Sequence, residues 1–374
     1  MNPPVGPPGA HPVTVDDRSG RPGRQRVLVA MSGGVDSSVA AALLLDQGHD
    51  VVGVTLKLWG GESDTGCCSV SDVDDARRVA HRLGIDHHVF NFADAFGREV
   101  IDRYVDEHVA GRTPNPCIEC NRHIKFDALL RRADALGFTT LATGHHARVV
   151  TEGGIRWLAR GADRAKDQSY VLHMLNQEQL ARTWFPVGDL ASKDEVRATA
   201  AELGLVTAAK PDSQDVCFIH SAVGRARFIG DRAPLRPGRV LNGDGTQVGR
   251  VSAVELVTVG QRRGLALGGG DQRRYVLDVD PVAATVTVGA RADLLVAEQP
   301  VDDLAWAVDP VAGPVEIQCS AHGRAYPGRV VVDGDGGGPA VVRWAEPQRR
   351  VAAGQAVVIY RGDRVIGGAV AARR

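Results

Sequence analysis

The stretch Ser32-Gly33-Gly34-Val35-Asp36-Ser37-Ser38, entered from the strand-like run VLVAM and followed by a helical pattern, decides the fold of this chain. Its glycines let the backbone curl against an anion. A helix that starts there presents unpaired N–H groups and its positive dipole end to the same point. Ser32, Ser37 and Ser38 add hydroxyl donors, so the stretch reads as a phosphate cradle. It differs from the Walker A loop, G-x-x-x-x-G-K-[ST], because no lysine follows to reach the β and γ phosphates. A cradle of this kind suits pyrophosphate as a leaving group, with Asp36 expected to work through Mg2+. The plain alternative is a glycine turn with Ser and Asp capping a helix; seven matching residues in this context favour the cradle.

Outward from the cradle, short apolar strands alternate with amphipathic helices, the signature of a parallel sheet with crossover helices. The helix after Ser37 is expected to bury Val39, Leu43 and Leu44. VVGVTLK (51–57) reads as a second strand, and 72–84 as a helix with Val73, Ala76, Val79, Ala80 and Leu83 on one face. HHVFNF begins a third strand, AFGREVIDRYVDEHVAG and HIKFDALLRRADALG are helices, and TTLATGHH is a later strand. Ser192 and Glu195 predict a capping box for a helix ending near Leu203. After about Phe228 the helical pattern stops, and short β-type runs separated by turns take over. The expected organisation is a loose Pro/Gly-rich tail (1–25), a Rossmann-like α/β domain (26–228), a small central β-rich domain (229–297) and a C-terminal β-barrel (298–374).

Composition sets the outer bounds. The 374 residues are enough for two or three domains, and 44% hydrophobic with 24% charged residues is ordinary for a soluble globular chain. No apolar run approaches the roughly 18 residues that span a bilayer. The N-terminal stretch carries Asp16 and Asp17 and no apolar h-region, so it fits neither a secretory signal nor a transit peptide, and cytoplasmic residence with no membrane partner is the expectation. A net charge of -1 means that any nucleic-acid partner is held by local patches. Only Lys57, Lys125, Lys166, Lys193 and Lys210 are lysine among the 44 basic residues, a pattern attributed here to coding bias toward arginine. Six cysteines, two adjacent (Cys67, Cys68) and two as Cys117-x-x-Cys120, read as metal or redox chemistry, not an extracellular disulfide framework.

The cradle resembles that of the PP-loop ATP pyrophosphatases, which cleave ATP between the α and β phosphates to adenylate a substrate. Further motifs resemble one branch, the tRNA-specific 2-thiouridylases: Thr113-Pro114-Asn115-Pro116-Cys117-Ile118-Glu119-Cys120-Asn121, Asp212-Ser213-Gln214-Asp215-Val216-Cys217-Phe218-Ile219, Ala142-Thr143-Gly144-His145, Lys166-Asp167-Gln168-Ser169-Tyr170, Phe185-Pro186-Val187-Gly188 and Gly260-Gln261-Arg262-Arg263-Gly264-Leu265. The resemblance runs from about Arg26 to the C-terminus. It implies ATP-dependent 2-thiolation of the wobble uridine, U34, of tRNA. ATP contacts fall on Ala30, Met31, Ser32, Gly33, Gly34, Val35, Asp36, Ser37, Leu56 and Gly144. Asn115, Pro116 and Cys117 meet the target base, and His145, Lys166, Asp167, Gln168 and Gln355 make other tRNA contacts. Where the family commonly has a basic-aromatic pair in the barrel, this chain reads Gln318-Cys319.

Replacing a carbonyl oxygen by sulfur needs an activated oxygen, which adenylation supplies, and a sulfur nucleophile that a cysteine can carry as a persulfide. By the resemblance, Cys217 receives the persulfide from a sulfur-donor protein, and Cys120 acts on it and closes a disulfide as sulfur leaves. Cys117, Cys120 and Cys217 could instead supply three thiolates to an iron-sulfur cluster, and the sequence leaves both routes open. A zinc site is disfavoured because a closed one needs four ligands and there is no second C-x-x-C, so no residues are assigned to a metal. Cys67, Cys68 and Cys319 are expected to be structural. Two other classes remain in view: a PP-loop ligase for a small metabolite, which needs no cysteine pair, and a tRNA-binding or iron-sulfur protein with a vestigial cradle.

Overall fold

The computed structural model describes residues 23–58, 70–212, 216–219, 224–267, 273–332 and 339–373. Cys67, Cys68, most of the N-terminal tail, Ser213 to Asp215 and Gly336 to Gly338, which the sequence pattern reads as a hairpin tip, lie outside them.

The first sheet is wholly parallel. Its strands are β1 (Arg26–Ala30), β2 (Asp50–Lys57), β3 (Asp86–Asn91), β4 (Thr140–Thr143) and β7 (Thr183–Trp184), in the order β3-β2-β1-β4-β7. Sheets of this kind are covered on both faces, and β1 shows why. Val27 and Val29 point to a cluster with Val39, Leu44, Val79 and Val196, while Leu28 and Ala30 point to a second cluster with Phe96, Tyr104, Ile124 and Phe126. The first cluster is built by α1 (Val35–Asp46) and α2 (Val70–Leu83). The second is built by two long helical runs, 93–109 and 116–135, each with a π-helical middle (Gly97–Asp102 and Cys120–Ala128). Leu43 is only half-buried, and α2 buries Ala76, Val79 and Ala80 while Val73 and Leu83 lie at its margin. Ser192 caps the helix Lys193–Glu202 by accepting from Glu195 N at 3.2 Å, but the Glu195 carboxylate accepts from Ala191 N, one residue outside a reciprocal box.

Two β units follow. The smaller sheet orders β8 (Gly238–Asn242), β9 (Gln247–Val251), β10 (Tyr275–Asp280) and β11 (Thr285–Gly289) as β10-β11-β8-β9 around a valine-rich core. In the last unit, β12 (Leu295–Trp306), β13 (Val315–Gln318), β14 (Tyr326–Val332), β15 (Ala340–Arg349), β16 (Ala356–Arg361) and β17 (Arg364–Ala371) run β12-β15-β14-β13-β16-β17. The extra β12–β17 pairing closes these six strands into a barrel. Sequence pattern missed a hairpin, β5 (Ala147–Glu152) and β6 (Ile155–Arg160), that leaves the first domain and pairs β6 with β17. Its Gly153-Gly154 corner, with φ of +60° and +81°, is the turn that a two-residue hairpin demands. Among the described residues no helix is long and apolar enough to cross a membrane.

Beside this seam sits Asp167, one of the expected tRNA contacts. It is 8% exposed and accepts from Gly161 N (3.0 Å), Ser169 N (3.0 Å), Ser169 Oγ (2.9 Å) and the Arg160 guanidinium (3.0 Å). Arg160 in turn lies 3.7 Å over the Tyr360 ring of the barrel. Removing the carboxylate strands a half-buried guanidinium and two backbone donors, so Asp167→Ala is expected to lose roughly 3 kcal/mol of stability, read from the urea unfolding midpoint; an unchanged midpoint would show that Asp167 is not a structural hub.

Candidate functional site: a charged glycine cradle at the sheet edge

In the sheet order, β1 is where the chain turns from building one side to building the other, and open α/β sheets bind ligands at such a point, outside the strands' carboxyl ends. Two loops meet there. After β1, Gly33 has φ +71°, and a side chain on it would run into the Asp72 carbonyl of α2. After β4, a Cβ on Gly144 would lie 2.5 Å from Ser37 N and 2.6 Å from the Asp36 carbonyl carbon. Both positions therefore need glycine, the second because two backbones touch.

The cradle's hydroxyls are tied into the turn. Ser37 Oγ accepts from Ser32 N at 3.1 Å and donates to Gly34 O at 3.1 Å, and Ser38 Oγ donates to Gly34 O at 2.8 Å. Ser32 is exposed; Met31, Gly33 and Val35 are buried, and Ala30 and Leu56 belong to the core beneath. Leu56 lies in β2, whose Thr55 hydroxyl donates to Met31 O at 2.8 Å and so pins the loop's entry.

Asp36 faces out of the first turn of α1 into a charge network. Lys193 Nζ donates to both of its oxygens at 2.7 Å, and His146 Nε2 donates to Oδ1 at 2.9 Å. Lys193 also lies 3.0 Å from Asp212, which takes Lys166 at 2.9 Å and Arg197 at 3.1 Å. Lys210 donates to Gly33 O at 2.9 Å and pairs with Asp72 and Asp75 of α2. Burial opposes charge on Asp36, but hydrogen bonds from His146 and Lys193 and their positive charges outweigh it and hold the carboxyl below its ordinary range. The same contest at Asp212, won by Lys166 and Lys193, brings its carboxyl down to about 2.

Three of the five lysines thus converge on the cradle. The other two also stand at this edge of the sheet: Lys57 ends β2, and Lys125 Nζ is 3.5 Å from His145 Nε2. Few as they are, all five lysines fall along this edge of the first sheet. Sequence reasoning missed Lys193, Lys210 and His146, and the scarcity of lysine was the signal that could have found them.

The remaining expected residues fall in two groups. His145 is buried, with Nδ1 2.7 Å from Thr143 Oγ1, and burial, then the charges of Lys125 and His146, keep its imidazole neutral. Gln168 clasps His146 twice at 2.9 Å, its side-chain oxygen accepting from His146 N and its own N donating to His146 O, and Lys166 is exposed. At the other end, Asn115 caps the helical run 116–135 by accepting from Cys117 N at 3.0 Å, with Pro116 buried in its first turn. Gln355 reaches across from the barrel to donate to Thr113 O, and Thr113 N donates to Ala353 O at 2.7 Å. A cavity of about 670 Å³ opens here, with Arg103 and Arg122 on the two helical runs, Arg112 in the loop between them, and Asp302 and Asp303 on β12.

Cys117 is exposed, Cys120 buried and Cys217 half-buried. Cys120 and Cys217 pack on the same core cluster: Cys120 enters the helical run beside 93–109, and Phe218, next to Cys217, stacks edge-on against Phe96 and Tyr104 of 93–109. Among the described residues no three His, Cys, Asp or Glu side chains converge as a metal-binding set, so the three thiols do not form a cluster ligand set in this arrangement. Cys319 is half-buried and desolvation pushes its thiol up to about 12, and Gln318 turns inward to donate to Ser320 O at 2.9 Å; both are barrel structure.

A parallel sheet with a glycine cradle and an acidic first turn at its switch point defines a nucleotide-binding domain of the PP-loop class. The profile described as the tRNA methyl transferase HUP domain matches residues 25–221, that of the tRNA methyl transferase PRC-barrel domain 226–290, and that of the aminomethyltransferase beta-barrel domain 298–371. The tRNA-specific 2-thiouridylase of Carboxydothermus hydrogenoformans is 45% identical over 94% of this chain and 99% of its own length. Those of Heliobacterium modesticaldum and Sorangium cellulosum are each 46% identical, over 94% of this chain and 93% and 94% of their own lengths. The chain belongs to the tRNA-specific 2-thiouridylase family.

Two measurements check the site. Gly144→Ala should push α1 off the β4 loop and weaken ATP binding by at least about tenfold while the far-ultraviolet spectrum is kept; unchanged affinity would remove the close approach from the site. Because the Asp212 carboxyl sits below its ordinary value, its contribution to stability is complete above about pH 4 and is lost as pH falls toward 2. Acid unfolding of Asp212→Asn should therefore be shallower than wild type between pH 4 and 2; identical slopes would contradict the network.

Proposed function

We propose that the protein is an ATP-dependent tRNA 2-thiouridylase acting on the wobble uridine. The observation that carries this reading is likeness to 2-thiouridylases along nearly the whole chain, together with a cradle whose glycines are required by close backbone approach. Residues 26–228 are assigned the chemistry, with 229–297 and 298–374 as the flanking β domains that help to hold tRNA.

ATP lies across Ala30 to Ser37, with Leu56 and Gly144 flanking the nucleoside. Asp36, a hard oxygen donor at the mouth of the cradle, fits Mg2+, which is commonly held by one carboxylate plus substrate phosphates and would neutralise charge between them. The flipped uridine enters beside Asn115, Pro116 and Cys117, where the adjoining cavity has room for a nucleotide-sized group. The arginines around that cavity and Lys166 suit the backbone of the anticodon arm. Asp167, His145 and Gln355 serve tRNA by holding these surfaces in place, since the contacts described above occupy them.

The O2 of the base attacks the α phosphate and pyrophosphate leaves. The sulfane sulfur of a Cys217 persulfide then attacks C2 and AMP leaves. The Cys120 thiolate attacks Cys217 Sγ, so the S–S bond breaks toward the base and a Cys120–Cys217 disulfide remains for an external reductant. Two motif cysteines, each carried by a segment that packs on the helical run 93–109, suit this relay. Sulfur comes from a persulfide-donor protein.

Cys217→Ser should abolish thiolation of an unmodified tRNA transcript while leaving tRNA-dependent pyrophosphate release, and retained thiolation would sink the assigned role. Asp36→Ala should lower pyrophosphate release by a factor of about 100 or more; unchanged release would contradict the cradle.

A further inference from the structure

The cradle lacks the lysine that a Walker A loop carries after its glycines, yet a lysine reaches its acidic residue from a distant part of the chain. Lys193 starts the helix Lys193–Glu202, 157 positions beyond Asp36, and its side chain is only 11% exposed. It bridges two carboxylates, Asp36 at 2.7 Å and Asp212 at 3.0 Å. We propose that Lys193 is the cation that takes the pyrophosphate end of ATP, held in reserve between Asp36 and Asp212 until the nucleotide enters.

The partners on either side are arranged for such an exchange. When Lys193 leaves, Asp212 still holds Lys166 and Arg197, and Asp36 still holds His146. Neither carboxylate is stranded, so the cost of moving the ammonium is small compared with breaking an isolated pair. A triphosphate brought to the α1 N-terminus would otherwise face Asp36 at close range, and among the described residues no other lysine is in contact with that carboxylate. Lys210 cannot serve, because it is fixed to Gly33 O, Asp72 and Asp75 and shapes the loop itself. Lys193 alone among these lysines touches Asp36, and its four-carbon stem lets the charge swing without moving the backbone. Lys193 covers both oxygens of Asp36, so the carboxylate would become available to Mg2+ only once the ammonium had moved to the phosphates.

The inference rests on the nucleotide-site reading above, and the test separates the two. Calorimetric titrations of ATP, inorganic pyrophosphate and AMP, with Mg2+, would compare wild type, Lys193→Gln and Lys193→Arg. Lys193→Gln should weaken ATP and pyrophosphate by about 10- to 100-fold, the loss of one charge-assisted contact, while AMP changes less than about threefold. Lys193→Arg, which keeps the charge, should recover most of the pyrophosphate affinity. Equal losses for AMP and ATP would make Lys193 a structural strut and overturn the proposal, as would unchanged ATP affinity in Lys193→Gln. Wild-type protein that binds no ATP would instead overturn the nucleotide site itself.

Discussion

The backbone contact between the loop after β4 and the first turn of α1 is the constraint on which the rest of the site depends. With no side chain at Gly144, the two loops of the switch point close to van der Waals distance. The start of α1 is then enclosed by β4 on one side and α2 on the other, where the Asp72 carbonyl abuts Gly33. Everything that gives the site its charge hangs on this geometry: His146 follows Gly144 by two residues, and Lys193, Lys166 and Asp212 are arrayed outward from Asp36. A half-ångström opening there would break several hydrogen bonds at once, because most of them share the same two carboxylates.

The segments that carry Cys120 and Cys217 are organised by apolar packing instead. The helical run 93–109 serves as a wall shared by both cysteine segments, with Phe96 and Tyr104 receiving Phe218 and the start of 116–135 lying alongside. Its π-helical middle, and the matching one that begins at Cys120, mark the places where these helices depart from regular spacing. Ion pairs therefore order the glycine cradle, while burial orders the segments of Cys120 and Cys217.

Strand and helix alternation, the cradle and the switch to β structure after Phe228 were legible in sequence because each has a local cause: apolar period, glycine in a required conformation, or a cap. What escaped was non-local. The hairpin at 147–160 has a readable Gly153-Gly154 corner, but its partner strand lies in the barrel, and no local pattern announces that pairing. Asp167 sits in a motif that looks like a ligand contact, whereas its four hydrogen bonds are all internal. Lys193 resembles any first-turn lysine until its distance to Asp36 is known. Only a compositional oddity, five lysines among so many arginines, pointed toward it.

The hairpin that leaves the first domain has a consequence for how the chain is made. β6 emerges from the ribosome with an exposed edge, and the strand that covers part of it, β17, is synthesised roughly two hundred residues later, about 10–40 s at ordinary elongation rates. Through that interval the nascent chain carries an unpaired edge of the kind that templates misassociation. Arg148, Arg156 and Arg160 on the hairpin place like charges along it, and charge on a strand edge keeps a second copy away. The same residues then serve the finished protein, as Arg148 turns to Asp363 and Arg160 to Asp167 and Tyr360.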